Sequence, residues 1–265
     1  MPTRDESWPN GTPCWVDVMV TDTAAAKAFY AGLFGWDIQE GPPEAGGYAM
    51  CMLNGRPVAA ISPKPEANPF PNCWSTYLAS DDVDATVAKA KAAGSTFTME
   101  PMDVLTAGRM AFGTDPTGAP YGIWQAGDHK GVGFYNEPGA LIWNELMTRD
   151  YEGAKTFYGS VFGYEYDDMD DATNFEYSRI KRSDGRVVAG IGRLDAEVPA
   201  TMAPAWTTYF NVADVDATAA KAAELGATIQ NEPWDTPFDR MAVIRGPQGE
   251  VFAIMTAPLR GEDIP

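Results

Sequence analysis

The chain repeats itself, and no other feature constrains its fold as much. Trp15-Val16-Asp17-Val18-Met19-Val20-Thr21-Asp22 leads to Lys27-Ala28-Phe29-Tyr30 and then to Phe34-Gly35-Trp36. The same order returns 128 positions on (143 less 15). There Trp143-Asn144-Glu145-Leu146-Met147-Thr148-Arg149-Asp150 leads to Lys155-Thr156-Phe157-Tyr158 and Phe162-Gly163-Tyr164. A second block, Trp74, Thr76-Tyr77, Asp84-Ala85-Thr86, Lys89-Ala90 and Gly94, returns 132 positions on (206 less 74). Its copy is Trp206, Thr208-Tyr209, Asp216-Ala217-Thr218, Lys221-Ala222 and Gly226. Recurrence of this kind marks a duplicated structural unit. The 265 residues therefore read as one domain over 1–128, a polar, glycine-rich linker over 129–139, and a second domain over 140–265.

Each half repeats again in its periodicity. Residues 14–20 are apolar and β-branched, a strand pattern. Asp22 then caps a helix with Ala25, Phe29 and Leu33 on one face and Gly35 as its stop. Short strands follow near 36–39, 47–53 and 57–61, the last two joined by Asn54-Gly55, a hairpin signal. The pattern restarts with a strand at 74–79, a helix at 82–93, and strands near 96–100, 109–114 and 121–125, the last entered through Asp115-Pro116-Thr117-Gly118. Each half is thus two βαβββ units, and the whole is an α+β chain of four. Phe29-Tyr30 and Phe157-Tyr158 are expected in the core.

Composition narrows the function. With 19 basic and 37 acidic residues the net charge is −18, which repels phosphate and argues against nucleic acid or anionic membrane as partner. No stretch reaches the ~20 apolar residues of a membrane span, and no secretory signal is expected at the N-terminus. Three cysteines outside any C-x-x-C read as buried, reduced thiols of a cytoplasmic protein. One histidine, His129, excludes a two-histidine metal site; lying in the linker, it is expected at the surface.

A strand, an Asp-led helix carrying Phe-Tyr, then Phe-Gly-Trp or Phe-Gly-Tyr, and a closing Asp-Pro-x-Gly turn resemble the vicinal oxygen chelate superfamily of glyoxalases, bleomycin-resistance proteins and extradiol dioxygenases. Runs such as Asn136-Glu137-Pro138-Gly139 and Trp143–Asp150 are similar to two-domain actinobacterial members. The resemblance implies a tandem duplication of glyoxalase-like domains, with curled mixed sheets around concave cavities. It also implies metal ligands on the first strand of each module and on the last strand of the second. Those positions fall on Trp15, Ser75 and Gly122 in the first half and on Trp143, Thr207 and Ala253 in the second. None is a competent ligand, so no metal and no cofactor are expected.

The candidate site residues follow from that face. Strand side chains alternate, so Asp17 shares the face of Trp15, Glu145 that of Trp143, and Tyr77 and Tyr209 those of Ser75 and Thr207. Asp17 and Glu145 read either as polar anchors or general bases with raised pKa, or as structural carboxylates with Arg109 and Arg240 as their natural partners. The tyrosines either donate to a ligand or pack their rings. Trp15, Trp74, Trp124, Trp143 and Trp206 are core fillers or cavity walls suited to a flat or cationic ligand. The expected function is binding of a small aromatic or cationic molecule by Trp15, Asp17, Tyr77, Trp124, Trp143, Glu145 and Tyr209. The alternative is a metal-independent enzyme of lyase, isomerase or oxygenase type. Either a monomer, whose halves close on each other, or a homodimer fits the duplication.

Overall fold

A computed structural model describes residues 2–66, 68, 70–169, 176–199, 202–236 and 239–256. Four modules appear in sequence. The first is β1 (Pro13–Val20), α1 (Thr23–Phe34), β2 (Asp37–Glu40), β3 (Ala49–Leu53) and β4 (Arg56–Pro63). The second is β5 (Cys73–Ala79), α2 (Val83–Ala92), β6 (Thr96–Val104), β7 (Gly108–Thr114) and β8 (Pro120–Ala126). The third and fourth repeat them: β9 (Leu141–Thr148), α3 (Tyr151–Phe162), β10 (Glu165–Asp168), β11 (Tyr177–Lys181) and β12 (Val187–Arg193), then β13 (Ala205–Asn211), α4 (Val215–Glu224), β14 (Thr228–Asp235), β15 (Arg240–Arg245) and β16 (Val251–Met255). The α+β architecture and the four βαβββ modules are as the sequence leads one to expect.

The local chemistry explains the punctuation. Asp22, Asp82, Asp150 and Asp214 each accept the N–H three residues on, at 2.9–3.0 Å, satisfying a donor that a helix start leaves bare. Gly35 and Gly163 end α1 and α3 in the left-handed region, φ 74° and 73°, where a Cβ would be strained. Each half builds one open eight-stranded mixed sheet, ordered β2-β3-β4-β1-β5-β8-β7-β6 and β10-β11-β12-β9-β13-β16-β15-β14.

Strand alternation divides the side chains between two faces. Val16, Val18, Val20, Trp74, Thr76 and Leu78 lie on one face of the first sheet, and the second sheet turns its corresponding face toward them. Thr76 Oγ1 meets Asn144 Oδ1 across that junction at 2.9 Å, fully buried. Of the two roles the sequence offers them, Trp74 and Trp206 take that of core fillers and sit between the halves. Their register opposite Val18 and Leu146 puts them on the face away from Trp15 and Trp143.

Two reciprocal locks seal the junction. Trp74 Nε1 donates to Tyr30 OH at 3.0 Å, and Tyr30 OH donates to Glu250 of the other half at 3.0 Å. Trp206 Nε1 donates to Tyr158 OH at 2.9 Å, and Tyr158 OH donates to Asp115 at 3.0 Å. The two carboxylates do not come from equivalent positions. Asp115 corresponds to Gly246, 131 positions on (246 less 115). A Cβ on Gly246 would stand 2.2 Å from Glu250 Oε1, so Glu250 reaches back into the space that Asp115 fills in the first half. Asp115 accepts from Thr117 N at 2.8 Å, and Glu250 from the equivalent Gln248 N at 3.1 Å.

Residues 132–139 join the halves as a packed strap. Val132 N–H donates to Cys14 O and Gly133 N–H to Pro57 O, both at 2.8 Å, and Val132 and Phe134 are buried. No helix of the described residues is long and apolar enough to cross a membrane.

Glu250→Ala strips two donors of a charged acceptor, and each such bond contributes about 1.5–3 kcal/mol. We expect a loss of about 2–4 kcal/mol in urea denaturation. Adding Gly246→Asp recreates the Asp115 arrangement and should restore at least half of it. No recovery in the double variant would show that the two carboxylates are not interchangeable.

Candidate functional site

On the opposite face of the first sheet, β1 aligns Trp15 with Tyr77 and Asp17 with Ser75 of β5, and β8 sets Gly122 beside Tyr77. Asp17 Oδ2 accepts two phenols, from Tyr48 and Tyr77, each at 3.1 Å, and Trp15 Nε1 donates to Tyr48 OH at 2.8 Å. The Tyr77 ring covers Gly122, where a Cβ would lie 2.1 Å from Cδ1. Trp15 is 3% exposed, Asp17 5% and Tyr77 8%. Burial pushes the Asp17 carboxyl up to about 6 against the pull of the Tyr77, Tyr48 and Ser75 hydrogen bonds. Burial likewise raises both phenols well above their ordinary range, helped by the Asp17 charge.

The second half builds the same cluster. Trp143 aligns with Tyr209 and Glu145 with Thr207, and Tyr209 adjoins Ala253 of β16. Tyr209 OH donates to Glu145 Oε1 at 2.9 Å, Trp143 Nε1 to Tyr177 OH at 3.3 Å, and Tyr177 also bonds the Glu145 carboxyl. Burial raises the Glu145 carboxyl, with the two tyrosines opposing. Trp143 and Glu145 are half-buried where Trp15 and Asp17 are covered, while Tyr177 and Thr207 are half-buried as Tyr48 and Ser75 are. Gly190 opposite Glu145 makes room for the Tyr177 hydroxyl, 1.9 Å from where a Cβ would be.

The two arginines expected beside the carboxylates lie elsewhere. Arg109 binds Asp84 at 2.7 Å and Asp103 at 2.9 Å; Arg240 binds Asp216 at 2.5 Å and Asp235 at 2.9 Å, all at the surface. A surface arginine finds acidic neighbours readily on so acidic a chain, while the buried carboxylates are satisfied by neutral phenols. Tyr48 and Tyr177 complete the clusters from outside the first and last strands of the modules, to which the sequence-based expectation is confined. Their signal was the repeat itself, a spacing of 129 (177 less 48). Cys14 and Cys51 are buried as expected, with thiols raised by burial, and Cys73 is half-buried, its thiol raised to about 11.

His129 departs from its expected exposure. Its ring meets Trp15 edge-on with centroids 4.2 Å apart and Trp124 at 5.6 Å, and Trp124 Nε1 donates to its backbone carbonyl at 3.1 Å. Nε2 is buried without a hydrogen-bond partner, an arrangement that costs about 1–3 kcal/mol. Burial holds the imidazole down to about 4, so it is neutral near pH 7. Trp124 thus joins the first cluster through His129. An open cleft of about 520 Å³ lies outside this segment, with Arg4, Arg56, His129 and Lys130 among its walls. Among the described residues, no three His, Cys, Asp or Glu side chains converge as metal ligands would.

The Asp17 titration has a stability signature. Its folded value, about 6, exceeds the unfolded value near 4, so between these pH values the folded chain holds a proton that the unfolded chain has lost. Stability from this group is full below pH 4 and falls as pH rises through 6, by on the order of 1–3 kcal/mol at about 1.4 kcal/mol per unit. Asp17→Asn should remove this part of the slope, so its advantage over the parent protein grows from pH 4 to pH 8 in urea midpoints. A constant difference across that range would refute the assignment.

Comparison with known proteins agrees with this architecture. The family described as the Glyoxalase/Bleomycin resistance protein/Dioxygenase superfamily matches residues 14–121 and 140–254. "Putative glyoxylase CFP32" of Mycobacterium tuberculosis is 45% identical over 260 residues, covering 96% of this chain and 98% of that protein. "Anthracycline biosynthesis protein DnrV" of Streptomyces peucetius is 35% identical over 259 residues, covering 92% and 93%. The crystal structure of the Mn(II)-bound glyoxalase from Novosphingobium aromaticivorans superposes with a TM-score of 0.65 at 19% identity, over 97% of this chain and 87% of that one. The 2,2',3-trihydroxybiphenyl 1,2-dioxygenase of Sphingomonas wittichii gives 0.63 at 13%, over 97% and 95%. At such identities the structures speak for the fold alone. On the family match to both halves and the 45% identical relative, the chain belongs to the Glyoxalase/Bleomycin resistance protein/Dioxygenase superfamily.

Proposed function

We propose that the chain binds a small aromatic or cationic molecule against its carboxylate–tyrosine–tryptophan face, without a divalent metal ion. The observation that carries this reading is the donor chemistry of the cups. The positions where the superfamily resemblance implies metal ligands hold Trp15, Ser75 and Gly122, and Trp143, Thr207 and Ala253. The Tyr77 ring stands over Gly122 where a ligating side chain would project. One carboxylate per cup, already accepting phenols, does not replace three ligands. What the cups offer instead is aromatic wall and a single acid, the composition of a site for a flat or positively charged molecule. The relative named for anthracycline biosynthesis agrees with an aromatic ligand.

A second reading is favoured by one observation. A carboxyl held at about 6 between two phenols is close to the value that suits a general base near neutral pH. Asp17 would take a proton from a bound substrate, a neighbouring tyrosine would return one, and the proton on Asp17 would pass along their hydrogen bond to restore the phenol.

A thermal-shift panel of aromatic and cationic compounds tests the binding reading. A ligand at a hundredfold excess over Kd stabilises by about 2.7 kcal/mol, roughly 5–10 °C for a chain of this size. We expect at least one compound to give such a shift, and Asp17→Asn/Glu145→Gln to lose it. If the whole panel leaves the melting temperature unmoved, the binding reading fails.

A further inference from the structure

One of the chain's own side chains lies over the aromatic wall of the first cup. After β8 the backbone turns back across the concave face. Gly127 N–H and His129 N–H both donate to Ala107 O, at 2.8 and 3.0 Å, and Val132 N–H donates to Cys14 O on β1. Gly131 lets the chain come down that close: its φ is +99°, and a Cβ would stand 2.4 Å from Cys14 O. The turn sets the His129 ring against Trp15 and Trp124, centroids 4.2 and 5.6 Å away, and both indoles are buried. Trp15 is also the residue whose Nε1 binds Tyr48, one of the two phenols on Asp17.

The backbone of His129 is tied on both sides, its N–H to Ala107 O and its carbonyl to Trp124 Nε1 at 3.1 Å. The imidazole is held less well, since its Nε2 is buried without a hydrogen-bond partner. An unmet buried nitrogen works against this position, because water would meet it outside. Outside lies the open cleft of about 520 Å³, and His129 is one of its walls beside Asp128 and Lys130. As a residue it is half-buried, so it stands between cleft and cup. Rotation about its side-chain torsions carries the ring from the indoles into the cleft and leaves the backbone bonds in place.

We infer that His129 is the gate of the first cup: its imidazole swings out into the cleft, and a flat carbocyclic aromatic ring of the ligand takes its place against Trp15 and Trp124. The place is bounded by two indoles and already holds a ring. A carbocycle there makes the edge-to-face contacts that the imidazole gives up, and buries no nitrogen without a partner. The exchange turns on that difference, because a ligand shifts a two-state equilibrium only by its differential affinity for the two states. The inference rests on the binding reading above and adds to it where the ring lies and which side chain it displaces.

The probe is 2-naphthol, titrated calorimetrically into the full chain and into His129→Ala. The variant has no ring of its own to displace, so we expect it to bind about tenfold or more tighter than the parent protein; binding by the variant alone supports the gate in the same way. A second measurement uses the parent only. His129 is the only histidine of the chain, so the adduct that diethyl pyrocarbonate forms on imidazole, located by mass spectrometry, reports on this one side chain. Labelling of the free protein should be slow, and bound 2-naphthol should speed it about fivefold or more by holding the ring in the cleft. Equal affinity of parent and variant, or labelling of the bound parent that is unchanged or slowed, would overturn the gate while leaving the binding reading intact. Binding of 2-naphthol by neither protein would overturn the gate as well, and only silence of the whole aromatic and cationic panel would sink the binding reading with it. Should the variant not fold, the parent's titration and labelling rate decide.

Discussion

The structure depends on each half burying its core face against the other. Neither sheet has a layer of its own to cover both of its faces. The valines of β1 and the tryptophans of β5 and β13 are buried beneath a helix of their own half, with Tyr30 on Trp74 and Tyr158 on Trp206, and beneath the partner half, which places Phe210 on Trp74. The Tyr30–Glu250 and Tyr158–Asp115 bonds cross that junction, each held in place by a tryptophan N–H. A buried carboxylate without donors would be costly, so the locks also fix the relative position of the halves. The exchange of Asp115 for Glu250 shows that the position of the carboxylate is maintained although the residue that bears it has moved.

This junction frees the concave faces. They look away from one another, and a change on one leaves the buried seam untouched. Both retain a tryptophan, an acid and two phenols, yet they differ where the surrounding chain differs. The first cup is closed by a turn containing His129, and the second retains half-exposed Trp143 and Glu145.

The fold was legible because its signals are local and repeated. Capping aspartates, the Asn54-Gly55 hairpin and two-residue alternation each act within a few positions, and the duplication states them twice. The face of Asp17, Glu145, Tyr77 and Tyr209 was legible for the same reason, since alternation alone places them together. What escaped were contacts between elements far apart in sequence. Tyr48, the residue just before β3, reaches Asp17 across the intervening β4, and nothing in the local pattern announces it. His129 lies in a run of glycines and charges that reads as solvated linker. Its burial follows from the path of the chain after β8, which Gly131 and the Cys14 carbonyl determine. Arg109 and Arg240 were drawn to Asp84 and Asp216, which the sequence places on helix starts rather than on the concave strands.

The acid of each cup is the feature that packing alone does not explain. A well-packed apolar residue at position 17 would avoid the desolvation that lifts this carboxyl to about 6, and replacing buried charged groups by apolar ones is often neutral or stabilising. Yet the acid recurs in both halves with two phenols and a tryptophan arranged about it, and the second copy has made further room for it. Gly190 lies opposite Glu145 where Ala60 lies opposite Asp17, and without that Cβ the Tyr177 hydroxyl can reach the longer side chain. A glycine inside a strand costs roughly 0.5–1 kcal/mol relative to alanine. The second half bears that cost together with a raised, half-exposed acid. Two departures from stability meet at this one carboxylate, as the binding reading proposed for these cups requires.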